Sequence, residues 1–481
     1  MSEYKEKSIV IIGAGISGLT LAWKMSKKKF KTIVLERQSM AGGLASSIPY
    51  NGYKMDIGPH YVALPKKSAI TDEIFELMGK ENIIELPNNI FEKFYKTSFN
   101  GKLYSGYPPL FEVIFNSGFR FFFKSFCSIL SAKIKSISKK EKFDNAEEYI
   151  IFNYGNFLYN IWFKPYLYRR YLDDEPPIKD VKEQFSSPTI LKIIKLLGSK
   201  TTIENKKESK NHKKEETIIC YFKGGMGSLI NSLIQEIEEN GGSVKLGTNV
   251  SSVNHENEPK EVKYEKNGEK FTINADVVVY STPIDITRNW FEDIPKIIQK
   301  SQPSGIHCIM VFLMIDSDRL YDSWVVNFYD SNLSFSRIAQ QNFLSKTVAP
   351  EGKSLLSVEI RTTAQNQLWS TDEKSLVKTI QKDLIKTGIL KNEKIEGFKI
   401  LKIKNLYPNS TIKKDKNSKD EIIKIINSYQ NEYTSISESD SGILAAGGAG
   451  NSSTSKITHG AGIYMAFLKS ANLSEVISNE C

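Results

Sequence analysis

The chain has 481 residues, 40% of them hydrophobic and 25% charged, which excludes a disordered or fibrous protein and is too long for one ordinary core. Its net charge of +10 rests on lysine, since only eight of the 65 cations are arginines; without an arginine-rich stripe or a reader motif, no nucleic-acid partner is expected, while an anionic substrate or a membrane surface fits. Cysteines at 127, 220, 308 and 481 make no CxxC pair, so neither a metal site nor a disulfide framework is expected, and a reducing cytoplasm fits.

The N-terminal MSEYKEK runs directly into a strand and reads as no signal peptide. Residues 8–12 (SIVII) are a short apolar run ending in glycines, the pattern of a buried parallel strand. Helical spacing follows from Ser17 to Lys27, then a second strand at 31–36 (KTIVLE), which completes a βαβ opening. Residues 70–165 read as mainly helical and rich in Phe and Tyr. Within them, Leu110 to Leu130 comes nearest to a membrane span, but Glu112, Arg120 and Lys124 interrupt it. It reads as a buried or interface helix, or as an apolar substrate mouth or peripheral membrane patch. Residues 199–217 are polar, charged and without apolar periodicity, and are expected to be a charged loop or disordered insertion.

Order returns with a strand at 218–223 and a helix at about 227–239. Strand-like stretches follow at 243–246, 260–264, 270–274 and 276–281, the last ended by Thr282-Pro283. Strands and loops alternate over about 305–361, a helix is expected at about 372–387, a strand at 442–446, and a last helix from about 459. The parallel-sheet pattern thus comes in three pieces, 1–75, 215–300 and 435–481, which are read as one discontinuous nucleotide-binding domain. Residues 76–198 and 301–434 are read as an inserted substrate domain.

Gly13, Gly15 and Gly18 form G-x-G-x-x-G directly after a strand and at a helix start that includes Ser17. Such glycines permit a tight turn, close approach of a pyrophosphate and close helix packing, with the helix N-terminus facing the phosphates. Glu36 ends the second strand 23 residues after Gly13, where a carboxylate accepts hydrogen bonds from ribose hydroxyls. After Arg37 comes a second small-residue turn, Gly42-Gly43-Leu44-Ala45, and then Gly58-Pro59-His60, where a flat ring can approach the backbone. Together these favour a long dinucleotide such as FAD.

These segments, with Asp56–His60, resemble the FAD-binding segments of the amine oxidase and protoporphyrinogen oxidase superfamily, and GGLAS…DIGPH resembles its UDP-galactopyranose mutase-like branch. Phe143–Asp173, Phe222–Leu229, Phe335-Ser336-Arg337 and Tyr407-Pro408 extend the resemblance over nearly the whole chain. It implies an α/β architecture with a Rossmann-type FAD-binding domain and an inserted α+β substrate domain. It also implies adenine contacts at Val250, flavin contacts at Thr282, Gly448, Thr458 and Gly460, and His60 lying against the isoalloxazine. The mutases carry an aromatic-Asn-Met-acidic stretch before the last helix; this chain has 453–458 (STSKIT) instead, and lacks their arginine clusters and tyrosine pairs.

The expected activity is therefore FAD-dependent oxidation, with hydride removal from a small organic substrate to flavin N5 and NADPH or oxygen as a redox partner. The alternatives are a nucleotide-sugar mutase that uses reduced FAD and a flavin-binding protein without catalysis. His60 suits proton transfer beside a flavin, and Arg337 suits an anionic substrate group or a structural ion pair. These two are the candidate catalytic residues. Lys164, Tyr166, Arg169 and Arg170 are candidates for the substrate side, and Tyr61, Trp162 and Trp324 for an aromatic wall or core.

Overall fold

In the computed structural model of the chain, the described residues are 7–105, 110–136, 143–172, 216–254, 259–282, 284–287, 290, 305–330 and 332–408, with scattered positions in 176–185 and 467–478. A four-stranded parallel sheet is ordered Ser243–Lys245, Lys31–Leu35, Ser8–Ile12, Val277–Tyr280. Its centre is Ser8–Ile12, whose side chains alternate between two covered faces. Ile9 and Ile11 pack with Leu19 and Trp23 of helix Ile16–Lys27 and with Leu229 and Leu233 of helix Gly227–Glu239. Val10 and Ile12 pack on the antiparallel strands Asn249–Asn254, Lys260–Lys266 and Glu269–Ala275 through Val250, Val262 and Tyr264. A strand buried on both faces must be apolar where it is buried, and residues 9–12 are, while the partly buried Ser8 at its start bonds Asp276.

The largest sheet has seven strands, ordered Ile395–Pro408, Gly305–Ile315, Ser354–Thr362, Arg337–Gln340, Val325–Phe328, Tyr95–Phe99, Lys102–Ser105. The pairing is antiparallel except between Val325–Phe328 and Tyr95–Phe99. Period-two alternation again divides the faces. Ile309, Val311, Leu356 and Val358 pack under helix Glu373–Lys386 through Leu376, Ile380 and Leu384. Met310 and Phe312 face Tyr53 and Met55 of the hairpin Ser47–Tyr50/Tyr53–Asp56. The aromatic-rich helices Leu110–Asn116, Phe119–Ser136, Ala146–Leu158 and Lys164–Tyr171 form a separate core with Tyr329.

The stretch 70–165 is mainly helical among its described residues, as expected, but it also includes strands Ile83–Leu86, Tyr95–Phe99 and Lys102–Ser105. Ile83–Leu86 pairs with Thr217–Phe222, so pairing crosses the boundary drawn at 75/76, which also cuts helix Ala69–Met78. Val250 does follow Ser243–Lys245, but it sits inside a further strand that the sequence reading did not place. The expected strand at 442–446 and the start of the last helix lie outside the described residues, as do 199–215 of the expected insertion; Thr217 already belongs to a strand.

Candidate active site

The first glycine turn is built by sterics. Gly13 has φ +107°, donates its N–H to Leu35 O at 2.8 Å, and a Cβ there would lie 2.7 Å from Ser281 O. Thr282 packs against the same point, its Cγ2 3.0 Å from that Cβ position. At Gly18 a Cβ would lie 2.1 Å from Gly13 O, so the helix can cross the turn this closely only as glycine. Gly15 differs: nothing lies within 4 Å of its Cβ position. It precedes helix Ile16–Lys27, whose N-terminus has no side-chain cap and no acidic residue in the first turn. An uncapped N-terminus above open space is an anion site.

The second turn meets the first. Gly42 N–H donates to Ala14 O at 2.7 Å, and the Cβ position of Gly43 lies 3.6 Å from Gly15 Cα. Leu44 is exposed and Ala45 buried beside this turn, while Arg37 is exposed. Glu36 holds both ends: Oε2 accepts Ala14 N–H and Oε1 accepts Gln38 N–H, each at 2.8 Å. Each carboxylate oxygen keeps a lone pair for a ribose hydroxyl. Two side-chain-free turns, an uncapped helix end, a half-buried carboxylate and a buried Ser281 Oγ without a hydrogen-bond partner among the described residues fit an extended dinucleotide.

Asp56, which sequence reasoning did not single out as a site residue, ties the next segment down. It is 1% exposed and accepts hydrogen bonds from Ser47 Oγ, Tyr221 Oη and, at 3.1 Å, Met226 N–H at the start of helix Gly227–Glu239. Burial pushes its carboxyl up to about 6, against the downward pull of those three donors. Its backbone N–H donates to Gln341 Oε1 at 2.9 Å and its carbonyl accepts Gln341 Nε2 at 2.8 Å. The chain then turns at Gly58 (φ +113°), and the ring of His60 folds back so that Cε1 lies 3.5 Å from the Gly58 Cβ position. His60 is 8% exposed, Pro59 partly so. The neighbouring Tyr61 ring packs edge-on against Trp324 at 5.8 Å and tilted against Phe91 at 4.8 Å. A strand-end Asp followed by Ile-Gly-Pro was the available signal for Asp56, but apart from Ser47 its partners come from 165 to 285 residues away.

On the large sheet, Arg337 engages Glu359 through Nε at 2.9 Å and through Nη2. Arg361 holds the other oxygen of Glu359 at 2.9 Å. Burial alone would raise the Glu359 carboxyl, but the two guanidiniums outweigh it and hold it at about 2. One carboxylate thus faces two cations, and Asn327, directly opposite Arg337 in register, has a buried Nδ2 with no hydrogen-bond partner among the described residues. Arg169 donates to the carbonyls of Asp330 and Leu333, and Arg170 to Tyr166 Oη at 3.0 Å; Lys164 is exposed. Trp162 and Trp324 are core residues.

Val250 O accepts the Trp290 indole N–H at 3.1 Å beside a bulge in its strand. Gly448, Thr458, His459 and Gly460 lie outside the described residues, as do His212 and His255. No group of three or more His, Cys, Asp or Glu able to hold a metal occurs among the described residues. Burial raises the Cys220 thiol to about 12 and pushes that of Cys308 well above its ordinary value, so neither is a nucleophile near neutrality. A groove of about 670 Å³ lined by Lys66, Asp72, Phe75, Glu76 and Glu85 includes none of the candidate site residues.

A family model described as flavin containing amine oxidoreductase matches residues 16–396. Among curated proteins, a 4,4'-diapophytoene desaturase (4,4'-diapolycopene-forming) of Methylomonas sp. is 23% identical, over 73% of this chain and 72% of its own length. A phytoene desaturase of Fusarium fujikuroi is 38% identical, but over 16% of this chain and only 13% of that protein. Among solved structures, a reduced UDP-galactopyranose mutase is similar with a TM-score of 0.67 at 15% identity, covering 88% of this chain and 86% of the other. A putative protoporphyrinogen oxidase from Exiguobacterium sp. 255-15 has a TM-score of 0.62 at 13% identity, covering 98% and 99%. At these identities the two structures speak to the fold.

Proposed function

The chain belongs to the flavin containing amine oxidoreductase family, a family of FAD enzymes, and from that premise we propose that it removes a hydride from a small organic substrate. The observation that carries this reading is the open space at the Cβ position of Gly15, in front of an uncapped helix N-terminus and beside the turn that Glu36 holds. FAD bound there supplies the hydride acceptor, N5 of the isoalloxazine. The residues of this chain hold and orient. Gly13, Gly15, Ser17 and Gly18 receive the pyrophosphate, Glu36 the ribose, and Gly42–Ala45, with Arg37 beside them, run along the dinucleotide. Gly58, Pro59 and His60 border the ring, with Thr282 and the 448–460 segment. His60 is the candidate to hold or move a proton beside the ring.

Arg337, beside Glu359 and Arg361 on the large sheet, is the candidate to meet an anionic group on the substrate, which keeps a nucleotide-sugar substrate handled by reduced FAD as the second reading. NADPH or oxygen is proposed as the redox partner, and a cytoplasmic location, with peripheral membrane contact, as the setting. Among the described residues no helix is long and apolar enough to cross a membrane.

The test is the visible spectrum of the purified protein, recorded anaerobically before and after NADPH. A flavin band that stays oxidised until substrate is added supports the oxidoreductase. A band bleached by NADPH directs the assay to nucleotide sugars. A flavin band with no turnover of any substrate class returns the non-catalytic reading, and no band even after reconstitution with FAD overturns the proposal.

A further inference from the structure

Helix Phe119–Ser136 buries only one side. Ser125, Ser128, Ile129 and Ala132 face the protein, against helix Ala146–Leu158. At about 100° per residue, Phe119, Phe123, Leu130 and Ile134 fall within an arc of about 60° on the outward side. They are 79%, 56%, 45% and 60% exposed, a contiguous apolar stripe rather than scattered surface residues. The rings of Phe119 and Phe123 stack at 6.3 Å, which extends the stripe along the axis. Arg120, Lys124 and Lys135 border the stripe on one side and Lys133 on the other. The helix carries no acidic residue. Long basic side chains beside an exposed apolar arc can reach a headgroup layer while the arc enters the acyl boundary.

We propose that this helix docks the protein in the plane of an anionic lipid bilayer. The occupant follows from charge. A second copy packed on the same face would set Arg120 and Lys124 against the partner's own cations. An anionic headgroup layer meets four cations on the helix and a net charge of +10 on the chain. The proposal is independent of the flavin chemistry, because the stripe lies on the outer side of a helix that holds no cofactor candidate.

The test is co-flotation of the full-length chain with vesicles of phosphatidylcholine alone and of an equal mixture of phosphatidylcholine and phosphatidylglycerol. The chain should float with the mixed vesicles and be released by salt. F119S/F123S should lower the partition coefficient by at least about tenfold, and R120Q/K124Q by a similar factor on mixed vesicles but little on phosphatidylcholine. All four side chains are exposed, so both variants should keep the wild-type melting temperature and flavin spectrum. The proposal is overturned if the wild type does not float with the mixed vesicles or if F119S/F123S floats as well as wild type. It is equally overturned if sedimentation shows a wild-type dimer that F119S/F123S dissociates, which would make the stripe an interface between copies.

Discussion

A Cβ on Gly13 would sit 2.7 Å from a backbone oxygen at a φ of +107°, whereas one on Gly15 would meet nothing within 4 Å. The two glycines of one motif therefore differ: the fold requires the first, while the second faces open space that the proposed dinucleotide would use. G13A should lower the melting temperature of the FAD-free protein, with a cost of about 2 kcal/mol or more from strain and clash. G15A should leave the FAD-free protein unchanged in thermal denaturation yet weaken FAD affinity by at least about tenfold, since its methyl would enter the phosphate space. Equal melting-temperature losses in both variants would refute this division. Sequence spacing alone marks both glycines as equivalent. Their difference depends on Ser281 and Thr282, more than 260 residues downstream.

Helices Phe119–Ser136 and Ala146–Leu158 touch where Gly155 lies, with φ +83° and a non-helical ψ that breaks the second helix one turn before its end. A Cβ there would lie 2.2 Å from Ser128 Oγ and 2.4 Å from Ser128 O, while Ser128 Oγ donates to Tyr154 O at 2.9 Å. G155A should cost about 2–4 kcal/mol, read as a fall in the urea midpoint. Ser128→Ala should not rescue it, because the backbone oxygen remains in the way. At this scale the strongly periodic helices were legible: the sequence places one at about 227–239, and it spans Gly227–Glu239. Strand Ile83–Leu86 was not, because its ladder is made with Thr217–Phe222 and such distant pairing leaves no local signal. Strand Tyr95–Phe99 did carry one that the sequence reading passed over: it pairs with Lys102–Ser105 across Asn100-Gly101, both at positive φ, as a tight hairpin turn requires.

Over the whole molecule, Asp56 ties the end of the seven-stranded sheet to strand Thr217–Phe222 and the start of helix Gly227–Glu239: its backbone is clamped by Gln341, and its carboxyl meets Ser47, Tyr221 and Met226. Its folded carboxyl, at about 6, lies above the ordinary value of 3.8, so the native state favours the protonated form. The stability this gives is fully present below pH 3.8 and lost as the pH rises through about 6, a change of roughly 3 kcal/mol. Asp56→Asn removes the titration. Urea midpoints measured between pH 4 and 7 should therefore show the variant gaining on wild type as pH rises, with no further change above about pH 7. A difference that stays constant across that window would show that Asp56 does not ionise there.

The sequence by itself determined the class of fold and marked the candidate dinucleotide site. Glycine spacing, an apolar strand and a carboxylate at the next strand end act over fewer than 30 residues, where covalent connection supplies the geometry. It also carried the apolar run at 110–130, but not its exposure. Only the tertiary structure decided which side of that run is buried, that Arg337 faces Glu359 and Arg361, and that Asp56 meets Tyr221, Met226 and Gln341. Each of these depends on groups brought together from distant parts of the chain, where burial and charge pairing set the energy and local pattern is silent.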